Sequence, residues 1–99
     1  MIDTKGITIL DGQEGGFWDV AFDDDAQEAA GTETGMSTIL VGIDGEEVEL
    51  SAGYEKRSPE GRDERALMER HRPAIIQALA DDDRVQRLHP EFVRKAAAR

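Results

Sequence analysis

STILVGIDGEEVELS, residues 37–51, reads as two β-strands folded back on each other. Its first half, Ser37 to Ile43, is rich in β-branched and aliphatic residues, which suit a strand packed on a core. In its second half, Glu46 to Ser51, Val48 and Leu50 alternate with Glu47 and Glu49, so one face is apolar and the other charged. Between the halves stands Asp44-Gly45, a pair that tolerates the positive φ of a type I′ turn.

Toward the N-terminus a second hairpin is expected. Residues 5–10 carry Ile7 and Ile9 on one face, and residues 11–16 are turn chemistry throughout. From Phe17 to Phe22, Trp18, Val20 and Phe22 alternate with Phe17, Asp19 and Ala21, and the first set is assigned to the core. Residues 23–36 are acidic, small and aperiodic, and they predict a mobile acidic loop with one helical turn around residues 25–30.

Beyond the hairpin the period changes. Ser58-Pro59-Glu60 is a helix start: a capping hydroxyl, a proline where no donor is needed, and a carboxylate at the positive end of the dipole. Leu67, His71, Ile75 and Leu79 follow on one stripe. Pro73 predicts a kink near Glu69 or a restart at the proline itself. Asp81-Asp82-Asp83 suits the start of a helix better than the end of one, so a break is expected there. Val85, Leu88 and Phe92 form a last stripe, with a restart at Pro90 after His89. Asp83/Arg87 and Glu91/Lys95 are favourable pairs at helical spacing. The expected fold is α+β: a four-stranded, mostly antiparallel sheet of two hairpins, followed by two C-terminal helices packed on one face.

The 99 residues make one domain, with an acidic β half over residues 1–53 and a helical half over 58–98. Its 26 large apolar residues can fill one layer between sheet and helices and leave little volume for a deep active site. There is no cysteine, which excludes disulfides and thiolate chemistry. No apolar run has the length of a membrane span, and the N-terminus lacks a signal-peptide pattern, so a cytoplasmic protein is expected.

The charge is lopsided. Residues 1–50 carry 13 acids and one base, a net of −12; residues 51–99 carry 9 acids and 11 bases, a net of +2. That balance opposes direct binding to nucleic acid or to an anionic membrane, and it favours a basic partner protein. The basic residues from Lys56 to Arg72 read as a solvated helix face, which a neighbouring copy's acids could also pair in a head-to-tail homo-oligomer.

Motifs for chemistry fail on inspection. An EF-hand started at Asp23 puts Glu28 where glycine is required and Thr34 where the bidentate glutamate belongs, so no metal is expected. Gly12, Gly15 and Gly16 lack the lysine and following helix of a phosphate loop. His71 reads as a packed residue on the apolar stripe, His89 as a turn residue, and no nucleophile motif is present. Neither an enzyme nor a cofactor is expected.

The reading favoured by the sequence is a small acidic protein-binding module or inhibitor, phage-type or DNA-mimic-like, that engages a basic, nucleic-acid-handling protein. Its candidate partner-binding residues are Asp19, Asp23, Asp24, Asp25, Glu28, Glu33, Glu47 and Glu49. The alternative is a non-catalytic assembly subunit, of a virion or larger complex, that docks through its C-terminal helix.

Overall fold

The two hairpins form as one meander. In the computed structural model, which describes residues 2–51 and 53–98, strands β1 (Ile7–Gln13), β2 (Phe17–Phe22), β3 (Thr38–Asp44) and β4 (Glu47–Leu50) make one antiparallel sheet in the order β1-β2-β3-β4. Helices α1 (Asp24–Ala30), α2 (Pro59–Asp81), α3 (Asp83–Leu88) and α4 (Pro90–Ala97) complete the α+β fold.

Alternation along the strands decides which face is buried. Trp18, Val20 and Phe22 of β2, Ile39, Val41 and Ile43 of β3, and Val48 of β4 point into the core. There they meet Leu67, Met68, Ile75 and Leu79 of α2, Val85 of α3 and Phe92 of α4. The helices all gather around α2, which touches β1 and β4. The radius of gyration, 12.8 Å, matches about 13 Å for a single folded unit of this length.

The β3–β4 turn differs in type from the one read in the sequence. Asp44 pairs with Glu47 as the last rung of the ladder, so the loop is Gly45-Glu46. Gly45 has φ 59°, and no described non-glycine residue has positive φ. Positive φ at the first central position alone is the type II′ pattern, which places glycine first.

Residues 24–30 form a helix where their composition predicts a loop with a single turn. Asp23 caps it, its carboxylate accepting from the Ala26 N–H at 2.8 Å, and Gly31 closes it in the left-handed conformation. The helix buries only Ala26, so it has no apolar stripe to announce it.

Pro73 neither kinks α2 into two helices nor restarts it: α2 is a single element of 23 residues. Pro73 and Glu69 are both exposed, so the carbonyl freed by the missing donor faces water. The break falls instead at the aspartates. Asp82 accepts from the Arg84 and Val85 N–H groups and caps α3, and Pro90 opens α4. The C-terminal apolar stripe divides: Val85 and Phe92 are core, whereas Leu88 is 68% exposed.

Candidate functional site

The sheet has one covered face and one open face. On the open face Phe17, Asp19 and Ala21 of β2 stand beside Gly42, Leu40 and Thr38 of β3, and Glu49 lies opposite Gly42 on β4. The floor is half-buried and apolar, made by Phe17, Ala21 and Leu40. Gly42 shapes it, because a Cβ there would lie 2.9 Å from the Phe17 ring; the ring occupies the space a side chain would fill. Around this floor stand Asp19, Asp44 and Glu49. None of the four strands contains a lysine or arginine.

Each edge of the sheet is bound at one place by an arginine reaching round from the helices. Arg84 of α3 donates to the Leu10 carbonyl at 2.6 Å and the Ile9 carbonyl at 3.1 Å, where β1 slips register between Ile9 and Gly12. Its guanidinium is aimed by Asp82 at 2.7 Å and lies 5.7 Å from the Trp18 ring. On the far edge, Arg72 of α2 donates to the Val48 carbonyl of β4 at 2.8 Å. An edge so capped resists pairing with a further strand.

The sequence-derived acidic residues therefore divide among several places. Asp19, Glu47 and Glu49 are on the open face, Glu47 as the rung partner of Asp44. Glu47 takes an ion pair from Lys95, which also reaches Glu46 at 3.8 Å rather than the Glu91 expected from helical spacing. Asp24, Asp25 and Glu28 are exposed on α1, while Asp23 serves as its cap. Glu33 pairs with Arg62 at 2.8 Å.

Two carboxylates buried at the start of α2 escaped the sequence reading. The Asp63 side chain is 1% exposed. Its Oδ2 accepts from the Glu33 N–H at 3.0 Å, the Thr34 N–H at 2.8 Å and the Thr34 hydroxyl at 2.6 Å. This fastens the segment after α1 to α2. Burial alone would raise the Asp63 pKa, but these bonds and the Arg62 charge hold it below the usual carboxylate value. Its Oδ1 has no hydrogen-bond partner among the described residues. Glu64 beside it is pushed up by burial, against an opposing bond from the Tyr54 N–H.

The histidines are structural partners. His71 Nε2 lies 2.8 Å from the Ala26 carbonyl, so that nitrogen carries the proton, and its ring packs against Phe22. His89 receives the Trp18 Nε1–H on Nε2 at 3.2 Å. That bond requires an unprotonated Nε2, and burial also lowers the His89 pKa.

No grouping of three or more His, Cys, Asp or Glu able to hold a metal occurs among the described residues. Nor, among them, is any helix long and apolar enough to cross a membrane. No known family, curated protein or solved structure matches the chain.

Proposed function

We infer that the protein is a non-catalytic binding module that engages a basic, nucleic-acid-handling partner protein through the open face of its sheet. The observation that carries this reading is one exposed face that sets carboxylates around an apolar floor, on four strands with no lysine or arginine, Lys95 of α4 reaching its corner at Glu47. Arginine and lysine have the matching form: an apolar stem that lies on Phe17, Ala21 and Leu40, and a charged head that reaches Asp19, Asp44 or Glu49. The capped edges favour recognition by this face over strand addition. The exposed acids of α1 extend the negative field that would steer such a partner. Carboxylates set out on strands would stand where the partner meets phosphates, as in an inhibitor acting in the cytoplasm.

Affinity capture from lysate of the source cell tests the reading, run at low and at moderate salt, with and without added duplex DNA. A basic nucleic-acid-binding protein, retained at low salt and displaced by both salt and DNA, is the expected result. A partner that neither salt nor DNA displaces would overturn it.

A further inference from the structure

A cavity of about 750 Å³ opens on the covered side of the β1–β2 hairpin, between the turn at residues 14–16 and the end of α3. Its back wall is Trp18. One side is the turn itself, where Gly15 and Gly16 bring no side chains; a Cβ on Gly16 would lie 3.3 Å from His89 Cε1. The outer lip is Leu88, the most exposed large apolar residue described. Volume and walls fall in the range of small-molecule sites, which combine apolar surface with a few polar groups.

Two donors in the lining are unused. The Trp18–His89 bond fixes the imidazole as the neutral form protonated at Nδ1, and that N–H has no partner among the described residues. Arg87 is exposed and makes no hydrogen bond or ion pair among them. Arg84, one turn earlier, is already engaged by Asp82, Ile9 and Leu10. Glu14, the carboxylate in the lining, is exposed on the turn opposite.

We propose that this cavity binds a small planar carboxylic acid, its ring between Leu88 and the glycine turn and its carboxylate held by Arg87 and His89. A planar body suits the side-chain-free wall, and a carboxylate is the group a guanidinium fork and a ring N–H recognise together. The site is distinct from the open face and stands or falls independently of it.

Trp18 is the sole tryptophan, so its indole N–H gives a single resonance inside the site. Naphthoate is titrated at millimolar concentration against naphthamide, its neutral counterpart, and naphthylmethylamine, its cationic one. The expected result is a saturable shift of the Trp18 indole resonance with naphthoate and a much weaker response to the other two. Arg87→Gln should weaken naphthoate binding roughly tenfold, the loss of one charge-assisted contact. Its melting temperature should stay unchanged, since the side chain is exposed. Absence of saturation with naphthoate, an equal response to the amide or amine, or an Arg87→Gln protein that binds as before would each overturn the proposal.

Discussion

Asp63→Ala should destabilise the protein and free the segment after α1. The carboxylate accepts three hydrogen bonds on one oxygen, at 2.6 to 3.0 Å, with its side chain out of water. Bonds to a charged acceptor contribute about 1.5–3 kcal/mol each, but burying the carboxylate itself costs several kcal/mol. The Glu33 and Thr34 donors lie on an exposed segment and can turn to water once released. The net loss works out at about 2–3 kcal/mol, a fall of roughly 8–24 °C in melting temperature for a domain this size. Asp63→Asn keeps an acceptor of the same shape and should cost about half as much. Because the folded-state pKa is depressed, the Asp63 contribution is complete above the unfolded carboxylate value of 3.8 and is lost as the pH falls below it. Thermal melts across pH read the stability, and amide exchange at Glu33 and Thr34 reads the release. An Asp63→Ala protein that melts within about 2 °C of wild type, or keeps the Thr34 amide protected, would refute this reasoning.

Gly61→Ala, which helix propensity alone would make stabilising by about 1 kcal/mol, should instead destabilise by about 2 kcal/mol or more. A Cβ at Gly61 would lie 2.0 Å from the Glu55 carbonyl oxygen, and that backbone would have to move; a denaturation midpoint at or above wild type would contradict this. Protonating His89 removes the acceptor of the Trp18 indole. This stabilisation should therefore be present above the usual histidine value of 6.5 and lost as the pH falls through and below it, with the wild-type advantage over His89→Gln shrinking in step. A wild-type advantage over His89→Gln that stays the same from about pH 8 to well below 6.5 would contradict it. Replacing Arg72 and Arg84 together by glutamine opens both sheet edges, and the variant should self-associate more than wild type in light scattering; equal masses at equal concentration would contradict it.

What was legible in the sequence follows from how local its causes are. The hairpin at 37–51 announces itself by a period of two, and the strand at 17–22 by the alternation that buries Trp18, Val20 and Phe22. Turn type was less legible, because Asp44-Gly45 and Gly45-Glu46 both offer a glycine and only the Asp44–Glu47 pairing decides between them. Helix α1 had its signals, Asp23 before it and Gly31 after it, but the aspartate run and the missing apolar stripe hid them. Pro73 misled because the penalty for an interior proline depends on whether the freed carbonyl meets water. For the candidate site, Asp19, Glu47 and Glu49 follow from strand alternation, whereas Asp44 reads as a turn residue and joins the face only through its pairing with Glu47. The contacts that shape the rest do not follow from alternation: Trp18 and His89 are 71 residues apart, Arg84 and Ile9 75 apart. Asp63 and Glu64 sit among arginines in a run that reads as solvated, and nothing local marks them as buried.

The binding account rests on the open face. Its most direct test is the association rate of the captured basic partner, measured across ionic strength with wild type and with Asp19→Asn, Asp44→Asn and Glu49→Gln combined. Wild type should associate roughly tenfold more slowly at moderate than at low salt, and the triple variant should be slow with a flatter salt dependence. A wild-type rate indifferent to salt, or a variant that associates as fast as wild type, would contradict the assignment of this face.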